Sequence, residues 1–344
     1  MGGGPGSAGS RRSGRQDMSK RQALWTVAWL LLFVLSGCGT SRTHTEVTLN
    51  PDGSCKVFEL KETKTEISAK NTEQPPEPTA QPACTTQPVR SRAQEQALAW
   101  ARDANGVAAV TDVSYGVAED GADRVSGVRY YADYSTARSP IGIGADVLAA
   151  LRPIWRPHPD GGMVLEFAST EPAATQPTTQ PATKLSDREV LKKVAEMRKA
   201  FREQIADREE EIAMLNRAFS TVWVCHLPGR IAEVRGFKKV DENTVGFTLC
   251  YEQLVRAGQR LIEDDAYMIG AVRSGLGSEE IVSGLPLFKA LFGGQMPYVR
   301  VVGKFEPQFD FEKEVAAAQR AYPGMIRRLQ RAPRRPTSAP ASKR

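Results

Sequence analysis

Histidine is scarce in this chain. Three occur in 344 residues, at His44, His158 and His226. A metal centre needs converging His, Cys, Asp or Glu ligands. His226 adjoins Cys225, but neighbours on a strand face opposite sides, and His158 sits in the loop-like W-R-P-H-P-D. No metal site is expected. Ser274 and Ser283 lie near glycines without a G-x-S-x-G elbow, so no catalytic residue stands out. Gly142-Ile143-Gly144-Ala145-Asp146-Val147 starts like a phosphate loop. Yet Val147 occupies the position that needs a small residue, and Ser139-Pro140 precedes it instead of a strand. No cofactor is expected. The acid clusters Glu263-Asp264-Asp265 and Glu279-Glu280 read as solvated helix faces, because adjacent residues on a helix point different ways. A long apolar run is also missing. Ala23 to Leu35 gives about 13 residues where a spanning helix needs about 20.

That short run is nevertheless the stretch around which the chain is organised. Arg11, Arg12, Arg15, Lys20 and Arg21 precede it, and Leu35-Ser36-Gly37-Cys38 closes it. A basic segment, a short apolar core and small residues before a cysteine make a secretory signal; an uncleaved anchor is the rival. Met18 would start a more ordinary signal, M-S-K-R-Q-A-L-W. L-S-G-C resembles the lipobox of bacterial lipoproteins. The resemblance implies cleavage before Cys38, a diacylglyceryl thioether on its sulfur, and acylation of the new amine, palmitate included. Residues 1–37 are then a signal peptide and 38–42 the lipid anchor, with the membrane as partner through Cys38. The location implied is the cell envelope. Gly39, not Asp, after the cysteine suits an outer-membrane protein facing the periplasm.

The formal charge of +6 comes from the two ends. Residues 1–37 hold five Lys/Arg and one acid, net +4. Residues 315–344 hold eight Lys/Arg and no acid, net +8, which leaves −6 for residues 38–314. In the tail, Arg327, Arg328, Arg331, Arg334 and Arg335 lie among Pro, Ser and Ala. This segment reads as largely disordered and attractive to anionic lipid or polymer, or simply as solubilising. Nucleic acid is in the wrong compartment. With Cys38 lipidated, Cys55, Cys84, Cys225 and Cys250 allow two disulfides. Cys55–Cys84 with Cys225–Cys250 is the natural pairing; buried free thiols are the alternative. A simple hairpin turning near Lys239 would set Cys250 opposite Gly229, so the second bridge needs a bulge or another strand arrangement.

Along the mature chain, residues 43–69 read as a β-hairpin turning at Asn50-Pro51-Asp52-Gly53. Residues 70–91 and 171–184 are Pro/Thr-rich linkers that cannot bury enough apolar surface to fold. Between them, 92–170 is a small α/β segment: a helix from Ala93 to Arg102, strands over 108–117 and 125–134, a short helix from Ala145 to Leu151, and a strand from Met163 to Phe167. Residues 185–314 begin with the longest helix, opened by the capping box Ser186-Asp187-Arg188-Glu189. Its apolar stripe runs from Val190 to Phe219 and breaks near Arg208-Glu209. Strands over 221–227, 230–235 and 244–251, helices over 252–273 and 279–292, and a strand over 297–305 follow. Without regular βαβ alternation the fold is α+β, with a mainly antiparallel sheet.

The piece L-P-G-R-I-A-E-V-R-G, followed by E-N-T-V-G-F-T-L, resembles the strand pattern of uncharacterised bacterial envelope lipoproteins, the LppM-like group included. Asp52-Gly53 matches their N-terminal hairpin turn; Gly246 departs from the bulky residue more usual there. The resemblance implies a fold type and an envelope role, and no catalytic residues. The expected function is non-enzymatic binding or assembly with an unknown protein partner. The alternatives are a periplasmic small-ligand or lipid binder, and an envelope hydrolase whose site would gather polar residues around His158 or His226.

Overall fold

The computed structural model describes residues 39–65, 91–103, 106–137, 151–169, 185–276, 281–282 and 284–331. The fold is α+β. It starts with a long hairpin, β1 (Gly39–Leu49) and β2 (Cys55–Thr65), paired over their whole length. Proline and glycine shape the turn as expected, with Gly53 at φ +89° where a side chain would be strained. Asn50 then fastens this turn to a distant segment. Its buried amide donates to Ser54 Oγ (3.1 Å) and to the Phe309 carbonyl (3.2 Å), and its Oδ1 accepts from the Gln308 amide (2.8 Å).

Further strands extend the hairpin on both sides. β3 (Ala109–Val117) and β4 (Asp123–Tyr131) join through β2. β7 (Phe219–His226) pairs parallel to β1 on its other side, and β10 (Thr244–Cys250) and the short β9 (Lys238–Lys239) complete a seven-stranded sheet. Its order is β3-β4-β2-β1-β7-β10-β9. The segments on either side of the two Pro/Thr-rich stretches therefore share one sheet. A second, antiparallel sheet has the order β5-β6-β11-β8, formed by β5 (Leu151–Pro157), β6 (Met163–Ser169), β11 (Tyr298–Val302) and β8 (Arg230–Arg235).

Alternation along each strand sends one set of side chains between the sheets. Val47, Leu49, Val57, Trp223 and Val245 of the larger sheet meet Leu165, Phe167, Ile231, Val299 and Val301 of the smaller. Aromatic rings bridge them: Trp223 stacks on Phe237 (5.1 Å) and meets Phe167 edge-on (6.3 Å), while Phe288 and Phe292 pack at 4.8 Å. Phe288 comes from α6 (Gly284–Leu291), which closes one end of this core. Each such pair adds about 0.5–1.5 kcal/mol beyond burial.

The long amphipathic stretch divides where its stripe breaks, into α2 (Asp187–Ala206) and α3 (Glu209–Ala218). The Ser186/Glu189 capping box is present. Val190 and Val194 bury against α5 (Asp265–Arg273), so α2 is a packing helix. The helix expected over 252–273 is also two, α4 (Tyr251–Glu263) and α5. Asp264 breaks it by turning extended and accepting the Tyr267 amide (2.9 Å). Arg198 secures the break, bonding the Ile262 and Glu263 carbonyls and Asp265. The Glu263–Asp265 cluster is thus tied into a helix junction.

Two elements depart from expectation. W-R-P-H-P-D belongs to β5 and the turn after it; prolines at 153 and 157 are tolerated because β5 lies at a sheet edge. The segment from 315 is helical as far as Gln330. α7 (Phe311–Gln330) runs along the β3 edge, with Val315 and Ala318 near Tyr130, and Met325 and Leu329 buried against α1 (Arg92–Arg102). Gln94 of α1, fully buried, donates to the Leu329 and Arg331 carbonyls (2.6 and 2.7 Å) and so caps the end of α7. The helix also covers an edge strand that would otherwise offer unpaired backbone. Linker residues 70–90 and 171–184 lie outside the described residues, as do 145–150 of the helix expected over 145–151, whereas Leu151 opens β5 and Ser91 caps α1.

Two outcomes test this packing. Trp100 of α1 lies on Gly127 of β4, donates to Glu59 (2.7 Å) and carries Arg129 over its ring at 4.1 Å. A Cβ at Gly127 would fall 2.5 Å from the indole. Gly127→Ala should destabilise by about 1–3 kcal/mol, read in thermal melts, with Trp100 fluorescence shifting red. Truncation after Arg331 should leave the melting temperature unchanged. Truncation after Pro323, which deletes Met325 and Leu329, should lower it sharply, by on the order of 3 kcal/mol or more.

Candidate functional site

His226 is the histidine that gathers polar groups. It ends β7 on the outward face of the larger sheet, flanked by β1 and β10. Its Nε2 lies 2.8 Å from Glu46 Oε1, and its Nδ1 lies 3.1 Å from Thr244 Oγ1. With the neutral ring donating from Nε2 to the carboxylate, Nδ1 accepts from the threonine hydroxyl. Thr244 Oγ1 also lies 3.3 Å from Asn243 Oδ1, which takes its proton when both ring nitrogens carry one. Asp241, in the same turn, is held below the usual carboxylate range by the Asn243 amide, then by the Thr244 hydroxyl, with His226 adding a smaller pull.

Carboxylate, imidazole and hydroxyl in line have the connectivity of an activated nucleophile. Burial decides what this line does. Thr244 is 2% exposed, so its oxygen lies beneath the surface that a substrate would reach. The arrangement ties three strands together at one end of the sheet. Sequence reasoning singled out His226 as a place to inspect but missed both partners. Glu46 is 180 residues away, and only the parallel β1–β7 pairing brings it near.

The other candidates disperse. His158 turns the β5–β6 hairpin, its Nδ1 accepting the Asp160 amide at 3.1 Å. Ser274 ends α5. Among the described residues no group of three His, Cys, Asp or Glu side chains could hold a metal ion. Arg327 and Arg328 occupy the last turn of α7, where cations complement the helix dipole, and Arg331 is its C-cap. These three belong to a packed helix, which corrects the expectation of a largely disordered tail beginning at 315. Cys38, Cys84, Arg334, Arg335, Ser283, Glu279, Glu280 and the Gly142–Val147 loop lie outside the described residues.

The Cys225–Cys250 pairing does not form. Cys225 stands opposite Val245, whereas Cys250 stands opposite Ser220, five positions further along. That is about 17 Å of strand, and a disulfide needs Cα atoms within about 7 Å. The simple-hairpin register fails because β8 crosses to the smaller sheet between β7 and β10. Cys55, Cys225 and Cys250 are free thiols. Cys55 and Cys225 are fully buried in the core between the sheets. Burial pushes both thiols well up; for Cys55 the neighbouring Cys225 and Asp133 add to it. Tyr131 beside them is pushed up to about 12, chiefly by burial. A thiol held protonated is a poor nucleophile. In the native protein, maleimide should therefore label Cys250 and spare Cys55 and Cys225; in denaturant all three should react, as read by peptide mass spectrometry.

Among the described residues no helix is long and apolar enough to cross a membrane. No family model matches the chain, and no curated protein matches it. A solved structure similar to it is the folded domain of the LppM (Rv2171) protein of Mycobacterium tuberculosis, determined by NMR. The likeness covers 61% of this chain and 82% of that one, at 14% identity and a TM-score of 0.26, too low to carry an argument.

Proposed function

We propose that the chain is a lipid-anchored cell-envelope protein with a non-enzymatic binding or assembly role. The observation that carries this reading is the junction of Leu35-Ser36-Gly37-Cys38 with the fold. β1 begins at Gly39, the residue after the lipobox cysteine, and β1 is the middle strand of the larger sheet. A diacylglyceryl thioether on Cys38 with an acylated amine supplies more than one chain, as stable anchoring requires. No spacer then separates lipid from sheet. The end of the sheet carrying Gly39, Thr65 and Phe219 sits at the bilayer, and the His226 end stands about 30 Å away along the strands. The two Pro/Thr-rich stretches interrupt the fold and do not tether it.

A non-catalytic role is supported by how the reactive groups are used. His226 ties strands, Asp264 divides helices, and two thiols are core residues. The Glu46–His226–Thr244 line is the observation that favours a hydrolase, and the depth of Thr244 weighs against it. Gly39 after the cysteine suits outer-membrane sorting in bacteria that use that rule.

Labelling of cells expressing the wild type and Cys38→Ala with palmitate, followed by fractionation, tests the anchor. The wild type should sediment with membranes and carry label, and Cys38→Ala should carry none and keep the uncleaved mass of the signal. An unlabelled wild type, or a Cys38→Ala form that carries label, overturns the reading.

A further inference from the structure

The outward face of the smaller sheet carries a charge opposite to that of the body. Register places its side chains in rows. Arg156 of β5 lies across from Val164 of β6, which faces Arg300 of β11 and then Glu233 of β8. The next row reads Ile154, Glu166, Tyr298, Arg235, with Arg152 beyond it on β5 and Arg230 beyond the first row on β8. Five arginines thus share the face with two glutamates, on a body whose residues 38–314 sum to −6.

The two carboxylates are already engaged. Glu166 pairs with Arg156 at 2.8 Å, and Glu233 with Arg235 at 3.2 Å, while Arg235 also lies over the Tyr298 ring at 4.2 Å. Arg152, Arg300 and Arg230 have no ion-pair partner among the described residues, and the Nε of Arg300 is buried without a hydrogen-bond partner there. These three do not converge on a point. They run diagonally from the free edge of β5 across β11 to the free edge of β8, over about 25 Å at ordinary strand spacings. A single phosphate or headgroup would meet one of them at a time. An extended polyanion would meet all three, each guanidinium fork donating two N–H bonds to an oxyanion.

We infer that this face binds an acidic polysaccharide chain, laid diagonally across the four strands along Arg152, Arg300 and Arg230. The choice of a glycan over other linear polyanions rests on the envelope reading above, since acidic glycans are the extended polyanions a protein anchored there meets.

The test uses the purified full-length protein, whether or not it carries acyl chains, titrated with end-labelled polygalacturonate and followed by fluorescence anisotropy. Saturable binding that weakens as salt rises is expected. Arg152→Gln/Arg230→Gln/Arg300→Gln should weaken it at least tenfold. The matched charge loss on α2, Lys192→Gln/Lys193→Gln/Lys199→Gln, should change it less than twofold. Because Arg300 is half-buried, Arg152→Gln/Arg230→Gln serves as a second variant, with an unchanged melting temperature and at least threefold weaker binding expected. No binding by the wild type, or equal binding by the face and α2 variants, overturns the inference. So does loss of binding on truncation after Arg331 with none in the face variants. Displacement by poly-glutamate or phosphatidylglycerol vesicles at lower charge concentration than unlabelled polygalacturonate overturns the glycan as occupant. Purified protein reads the face and fractionation reads the anchor, so either can fail while the other stands.

Discussion

The parallel pairing of β1 with β7 is the contact on which the architecture depends. On one side β1 continues the N-terminal hairpin; on the other it meets a strand 180 residues later at Glu46 and His226. Without that pairing, β2, β4 and β3 form one sheet fragment and β7, β10 and β9 another, each with an open edge. Joined, they make one surface wide enough to cover the smaller sheet and seat α1 beside it. A one-residue slip would turn Trp223 and Cys225 outward. Register is therefore enforced by the core, and at one end also by the Glu46–His226–Thr244 line. A contact of such sequence separation is costly to close.

The same dependence explains where polar chemistry is tolerated. Asn50 is buried yet bonds Ser54, Phe309 and Gln308, so the hairpin turn also positions the start of α7. Gln94 does the equivalent service at the other end of that helix. Between these two amides α7 lies along β3 and closes the edge of the larger sheet. The opposite edge is the two-residue β9, Lys238-Lys239, short and charged as an edge strand should be to resist further pairing.

Local signals were legible in the sequence. The hairpin turn, the Ser186 capping box, the stripe break at Arg208 and the strands of β3, β4, β6, β7, β8 and β10 follow from turn chemistry and periodicity. What escaped depends on tertiary context. β5 was hidden by Pro153 and Pro157, which count against a strand unless it lies at an edge, and edge position is not a local property. α7 was hidden by its arginines and by Pro323, although Val315, Ala318, Tyr322, Met325 and Leu329 recur at helical spacing. The break at Asp264 uses the same capping chemistry as Ser186, but the acids around it masked the cap. At the candidate site, His226 was visible and Glu46 was not, because no local pattern announces a parallel partner 180 residues away. The arginine rows were invisible for the same reason: Arg152, Arg300 and Arg230 become neighbours only through the registers of three separate strand pairs.

These points bear on what the molecule presents. An acylated Cys38 would bind the middle strand of the larger sheet to the bilayer with nothing between to swivel, so orientation would follow from register. Position along β1 would then measure height above the membrane. The turn at Pro51-Asp52, the Thr244 turn and the His226 end would stand furthest out, and Trp155 Nε1, donating to the Pro51 carbonyl at 3.0 Å, ties the smaller sheet to that same end. The smaller sheet packs its inner face on the larger one, which leaves its arginine-bearing face outward. Stiff anchoring favours recognition by a surface, because a rigid body pays little ordering entropy when an extended ligand lies down on it. The fold's most demanding contact, β1 with β7, would then be what holds a charged face at a fixed height and angle to the membrane.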